Sequence, residues 1–323
     1  MKERIVSIDV LKVIAVFMVL NSHMEICYGK YAILATGGAI GDALFFFCSG
    51  FTLLLGGAKS FPNYYKRRIA RIYPTVLAVD LFAVLFFSLD ARIIENLVFG
   101  GGWFVQCIMI YYVPLYFVHR YFTGHFNWLW IVTAVIIISS YYTLFADEWN
   151  GTIFMYGETK FKWVFNFLFM MYGGYAGLHH TQFKYDWKSI PLFFLSVIIW
   201  YSFFFLSKKM SLISDLQYIS LIPLFGVVHY LFKICNSQFL TRLAKRKISG
   251  QVIFIIGGLC LESYLIQFYL FTDKYNWMFP FNIPLIVMFV LAIAYVINLF
   301  ANIISQTFKS GDFEYKKLLL YKK

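Results

Sequence analysis

A chain of 323 residues that is 61% hydrophobic, 22% aromatic and only 14% charged does not have the composition of a soluble globular protein. Repeated apolar runs of about 20 residues put it in a lipid bilayer instead, and the net charge of +12 then faces an anionic leaflet rather than nucleic acid. The five cysteines (Cys27, Cys48, Cys107, Cys235, Cys260) have no ligand spacing, and the His179-His180 pair has no Cys or carboxylate beside it, so no metal site is expected.

The pattern predicts an all-α, polytopic membrane bundle with ten spans, at about 7–27, 37–57, 72–90, 103–121, 127–146, 163–180, 190–206, 212–233, 250–271 and 282–307. Short loops leave no room for a separate soluble domain, so residues 1–323 are expected to form one membrane domain. With both termini placed in the cytoplasm, 21 of the 28 lysines and arginines fall on the inner side, as the positive-inside rule requires. The first apolar run is too long for a signal peptide and no small-residue cleavage site follows it, so it is read as a span. Tyr141, Tyr142, Trp149, Trp163, Tyr275 and Trp277 sit near span ends, as interfacial anchors do. Pro114 and Pro223 fall within spans and are expected to kink them, whereas Pro74 and Pro191 lie near span starts, where a missing N–H costs little.

The first span, IDVLKVIAVFMVLNSHMEICY over residues 8–28, carries Asp9, Lys12, His23 and Glu25. Read as one helix, the eleven steps from Lys12 to His23 turn about 1100°, roughly 20° past three turns, with a rise of about 16 Å. Asp9 lies about 40° off that stripe and three residues from Lys12, which makes it a local partner. Ionisable groups in a span are costly and hence functional candidates. Against that stand snorkelling for Lys12 and a hydrogen-bonded interfacial histidine for His23. Imidazole accepts a proton at neutral pH, so His23 is the candidate general base.

The second span contains GDALFFFCSGFTLLLGG, residues 41–57. Ser49 and Gly50 permit close helix approach. Asp42, at the outer end, either orients His23 or caps the helix and faces water. The next loop reads YYKRRIARIYP, residues 64–74, where Arg68 and Arg71 are three apart on one helical face. Two guanidiniums so placed can grip phosphate with paired hydrogen bonds, although a basic inner loop is also what topology demands. The fourth span opens with Trp103 and Gln106, suited to stacking on and hydrogen-bonding a sugar, or to anchoring at the interface. The ninth reads IGGLCLESYLIQFYLF over residues 256–271. Its Glu262 lies deep in the membrane and must be protonated or paired, with Lys12 or an arginine of the basic loop as partner. Ser263 and Gln267 share a face.

Taken together and in order, these motifs resemble the acyltransferase 3 family of integral-membrane O-acyltransferases. Ile8-Asp9-Val10-Leu11-Lys12-Val13-Ile14-Ala15 followed by His23 is similar to the family's opening, with Lys12 where an Arg is usual. Gly41-Asp42-Ala43-Leu44-Phe45-Phe46-Phe47-Cys48-Ser49-Gly50-Phe51 resembles its second block, with the Asp one position early, so that residue's role is not carried over. Arg68-Ile69-Ala70-Arg71-Ile72-Tyr73-Pro74, Trp103-Phe104 and Glu262-Ser263-Tyr264-Leu265-Ile266-Gln267 match later motifs, with Gln267 in place of the usual His. The resemblance implies a ten-span fold in the cell (inner, cytoplasmic) membrane that takes an acyl group, usually acetyl, from cytoplasmic acyl-CoA. The group goes to a sugar hydroxyl of a surface polysaccharide or related glycan. Some members carry an extracytoplasmic hydrolase-like domain. This chain is expected to complete the transfer itself or through a separate partner, as a homo-oligomer or beside polysaccharide-synthesis proteins.

On this reading Arg68 and Arg71 hold the acyl-CoA phosphates, Lys12 adds positive potential, and the arm lies along the stripe to His23. Gln106, Ser49 and Tyr264 are the candidate donors to the oxyanion formed on the thioester carbonyl. The rival is a secondary transporter or flippase for a glycan or lipid precursor, which explains the spans and buried charges but not the acyl-CoA motifs; the lack of an evident internal repeat also weakens it.

Overall fold

The computed structural model describes residues 5–55, 60–87, 101–144, 154–207, 209–309 and 312–320, and every regular element among them is helical. The main helices are α1 (Val6–Ser22), α2 (Gly38–Leu54), α3 (Phe61–Phe87), α4 (Trp103–Tyr121), α5 (Phe126–Ser139), α6 (Lys162–Leu178), α7 (Ser189–Ser207), α8 (Leu221–Cys235), α9 (Lys247–Gly258), α10 (Cys260–Leu270) and α11 (Asn282–Thr307). Trp149, most of the 90–102 loop and the basic residues Lys2, Arg4, Lys59, Arg92, Lys208, Lys322 and Lys323 lie outside the described residues.

Each of the ten expected stretches carries a helix, yet length and apolarity qualify only four as spans on their own: Phe61–Phe87, Ser189–Ser207, Gln217–Cys235 and Asn282–Thr307. Three bent pairs raise the number to at most seven: Val6–Ser22 with Glu25–Leu34 at 69°, Trp103–Tyr121 with Thr123–Ser139 at 93°, and Lys247–Gly258 with Cys260–Leu270 at 70°. Three expectations need correction. The basic segment over residues 64–74 is no loop but the first turns of the 27-residue α3, because Arg, Lys and Ala all favour a helix. Pro74 consequently stands inside α3 and not at a start. The first and ninth spans are each broken in two.

By contacts the chain forms two compact units. One comprises Met1–Leu11, Asp42–Ala58 and Val113–Arg242. Here α2 and α6 meet backbone to backbone. A Cβ on Gly50 would stand 1.8 Å from the Met170 carbonyl oxygen, and one on Gly173 would stand 1.9 Å from that of Phe47. Only glycine lets two helices approach so closely. Phe47 and Phe51 then reach Phe232 of α8, at ring-centroid distances of 5.2 and 5.5 Å.

The second unit comprises Lys12–Gly41, Lys59–Tyr112 and Leu243–Lys323, in which α3, α10 and α11 pack on one another. The break after α1 has a specific cause. Asn21 donates its amide to the carbonyls of Leu34 (2.8 Å) and Thr36 (2.9 Å) and accepts the Tyr28 hydroxyl (2.6 Å). These bonds fold residues 25–36 back on the end of α1. Farther along, Asn276 and Asn282 donate to the carbonyls of Ile26 (2.9 Å) and Cys27 (2.7 Å), holding the folded segment in place.

Candidate active site

Nine of the twelve candidate residues fall in the second unit: Lys12, His23, Arg68, Arg71, Trp103, Gln106, Glu262, Tyr264 and Gln267. Asp9, Asp42 and Ser49 belong to the first. Asp9 is buried in the first turn of α1, Ser49 is half-buried, and Asp42 lies within electrostatic reach of Lys162 and Glu158 of its own unit.

Six of the nine belong to α10 or approach it: Glu262, Tyr264 and Gln267 are part of the helix, and Lys12, Arg71 and His23 come near its ends. Residues 262 to 267 are all buried, so this half of the helix is enclosed on every side despite carrying three polar residues and a tyrosine. Enclosure demands hydrogen bonds. Glu262 Oε1 accepts from Asn298 Nδ2 (2.7 Å) on α11 and from Thr75 Oγ1 (3.2 Å) on α3. Neutral donors therefore hold the carboxyl, in place of the expected ion pair with Lys12 or an arginine, and Arg71 lies within electrostatic reach of it. The other oxygen, Oε2, is buried with no partner among the described residues. Gln267 is wholly buried, and neither end of its amide has a hydrogen-bond partner among the described residues. A buried unpaired polar group costs about 1–3 kcal/mol, so α10 carries donor and acceptor capacity that no described residue uses.

The two ends of α10 meet different chemistry. At the start, Lys12 and Arg71 lie close enough to act electrostatically on the Cys260 thiol. Toward the other end, the His23 ring meets Phe268 edge-on with centroids 4.8 Å apart. Eight residues of helix separate those positions, about 12 Å at 1.5 Å per residue. Cations thus gather at one end and the imidazole at the other. The sequence reading needs one adjustment here. The helix of α1 stops at Ser22, and His23 occupies the turn that follows, its N–H bonded to the Leu20 carbonyl at 3.2 Å. Its direction is set by that turn and by Phe268 rather than by helical register.

Arg68 and Arg71 are neighbours on α3 in unlike settings. Arg68 is half-buried, its guanidinium 5.3 Å from the centre of the Tyr64 ring and 5.6 Å from that of Tyr112. Such cation–π contacts hold a guanidinium while leaving N–H groups for a ligand, and its Nε is buried without a partner among the described residues. Arg71 is exposed. At the start of α4, Gly101 has φ +73°, a left-handed conformation that side chains rarely adopt. The turn brings Gly102 against Tyr264, whose hydroxyl would lie 3.2 Å from any added Cβ. Phe104 packs on the same tyrosine ring at 5.4 Å. Trp103 and Gln106 are half-buried in the first turn of α4.

Sequence reasoning missed Thr75, Asn298, Tyr64 and Tyr112. Asn298 was detectable as an amide inside the most apolar span, with Asn302 one turn on, donating to it at 3.0 Å. Among the described residues no group of three or more His, Cys, Asp or Glu side chains gathers in the manner of a metal site.

Comparison with curated proteins and with solved structures gives no match. A family model described as an acyltransferase domain matches residues 5–301, from the start of α1 into the last turns of α11 and across every residue of the candidate site, so the chain belongs to the acyltransferase 3 family.

Proposed function

We propose that this membrane acyltransferase moves an acyl group, acetyl in the first instance, from cytoplasmic acyl-CoA to a hydroxyl of a cell-surface polysaccharide or glycan precursor. The observation that carries the reading is the separation of charge and imidazole along α10: Lys12 and Arg71 by Cys260, His23 by Phe268. Phosphates of the donor bind at the cationic end, with Arg71 reaching out and Arg68 held behind it by two tyrosine rings. The extended thioester arm follows α10 toward His23. The unpaired Gln267 amide supports this path, since it supplies both a donor and an acceptor for an amide of the arm.

His23 accepts the proton of the acceptor hydroxyl as its oxygen attacks the thioester carbonyl. The C–O bond forms, the C–S bond breaks, and the proton leaves the imidazolium for the departing thiolate. Tyr264 and Gln106 are the donors proposed for the oxyanion in between. Ten spans with both termini in the cytoplasm of the cell membrane complete the proposal; the helix in each of the ten stretches and the inner excess of basic residues support it.

The test uses cells that make the native acceptor, with ester groups on the surface glycan measured by NMR or mass spectrometry. His23→Ala at wild-type expression is expected to lower transfer by about 10²–10⁴-fold. Unchanged ester content would sink the general-base role. Arg68→Ala with Arg71→Ala is expected to weaken acyl-CoA binding by at least about tenfold, from the loss of charged hydrogen bonds. Unaltered affinity of the purified variant would leave those arginines with topology alone.

A further inference from the structure

The first unit contains a cavity of about 640 Å³ that none of this chemistry uses. Its walls come from three helices: Asn127 and Trp130 from the start of α5, Tyr172 and Tyr175 from the last turns of α6, Phe225 from the second turn of α8, and His229 and Tyr230 from its later part. Lys233, one turn past His229, pairs with Asp186 in the connection after α6. The cavity therefore lies within about a turn of the connecting segments, where a membrane protein meets water.

Its polar groups converge. The Tyr172 hydroxyl and His229 Nδ1 are hydrogen-bonded at 2.5 Å, which leaves His229 Nε2 for another partner. The phenols of Tyr175 and Tyr230 both lie within electrostatic reach of the Tyr172 hydroxyl. Among the described residues neither of those two hydroxyls, nor the Asn127 amide, nor His229 Nε2, has a hydrogen-bond partner. The apolar walls, by contrast, are fixed. Phe225 stacks on Phe169 with centroids 4.2 Å apart and meets Trp130 edge-on at 5.5 Å. Trp130 Nε1 donates to the Leu168 carbonyl at 3.3 Å.

Rigid aromatic faces with four unused hydrogen-bonding groups between them select a ligand that is apolar on its face and hydroxylated at its edge. A lipid chain would use the walls and leave the polar groups dehydrated. A pyranose ring uses both, its C–H face against the aromatic walls and its hydroxyls on amide, phenol and imidazole. The volume lies in the usual range for small-ligand sites. We propose that this cavity binds a glycosyl group, either as a free sugar or as the head of a glycolipid. The inference is independent of His23 and of the acyl-transfer reading.

The test is saturation-transfer NMR on the full-length protein in lipid nanodiscs. The probes are glucose, galactose, N-acetylglucosamine and rhamnose, with hexyl glucoside and hexanol alongside. Tyr175→Phe with Tyr230→Phe removes two oxygens and no packing, and its thermal stability is measured to establish that it folds. The expected result is transfer to sugar-ring protons in the wild type, with an apparent Kd at least about tenfold higher in the double variant. Binding of the simple sugars identifies a free-sugar site; binding of hexyl glucoside alone identifies a glycolipid head. Absence of transfer to every sugar overturns the proposal. So does equal transfer in both proteins, or displacement of hexyl glucoside by hexanol at equal concentration.

Discussion

The contact between α2 and α6 is tight enough to give a quantitative test. In Gly173→Ala the added Cβ would lie 1.9 Å from the Phe47 carbonyl oxygen and 2.6 Å from its carbon, whereas real Cβ contacts essentially never fall below 3.0 Å. The obstacle is backbone and cannot rotate away. The helices must separate by more than 1 Å at that point, and the seam carries the strain further, because Gly50 faces Met170 and Gly177 faces Phe51 in the same row. Overpacking of this kind costs about 1–3 kcal/mol. At about 2–4 °C per kcal/mol for a chain of this size, Tm is expected to fall by roughly 3–10 °C. Gly124→Ala is the control, because nothing lies within 4 Å of its added Cβ, and it is expected to be near neutral. Thermal unfolding in detergent, followed by fluorescence-detected size exclusion, measures both. Once one Cβ has spread the helices, a second costs less, so Gly50→Ala with Gly173→Ala is expected to lose less than the sum of the single variants. A Gly173→Ala protein as stable as the Gly124→Ala control would refute the backbone contact.

Two further outcomes follow from polar contacts. Asn298→Leu removes the 2.7 Å bond to Glu262 and the acceptor used by Asn302, and is expected to destabilise the protein by about 1–3 kcal/mol for each group left unpaired; adding Glu262→Leu should recover part of that loss in the same unfolding assay, and no recovery would show that the carboxyl is not the stranded group. Asp186 is held below the usual carboxylate range by hydrogen bonds from the Lys233 ammonium and the Ser189 hydroxyl. Because the folded pKa is depressed, its contribution is present above the unfolded value of about 3.9 and fades as pH falls through the lower folded value. The Tm gap between wild type and Asp186→Asn should therefore be level from pH 5 to 7, close below pH 4, and shrink with added salt; a gap that widens in acid would contradict the pairing.

Helix content was legible because apolar runs announce themselves, but the breaks were not all legible for the same reason. The Gly257-Gly258 pair ahead of Leu259 is a recognisable breaker, and it lies where α9 gives way to α10. No glycine or proline marks the end of α1. That helix ends where Asn21 bonds carbonyls 13 and 15 residues ahead, a tertiary interaction that local propensity does not encode. The basic segment misled in the opposite direction: its charges suggested a loop, while its residue types favoured the helix that forms.

The break after α1 alters the logic of the site more than its membership. Read as a continuous helix, Lys12 and His23 are linked by register alone, and any residue on that stripe would serve. In the structure the imidazole stands on a turn pinned by the Asn21 bonds and by the edge of Phe268, and the cations stand where α3 and α1 come near Cys260. What joins the two ends is α10, a helix enclosed by its neighbours yet carrying a carboxyl oxygen and a whole amide that no described residue satisfies. An interior that leaves three polar atoms unpaired loses stability that packing alone would have kept. That loss is intelligible if a polar arm lies along α10 during turnover, and Gln267, buried with both ends of its amide unpartnered among the described residues, is then the position whose substitution tests the idea most directly.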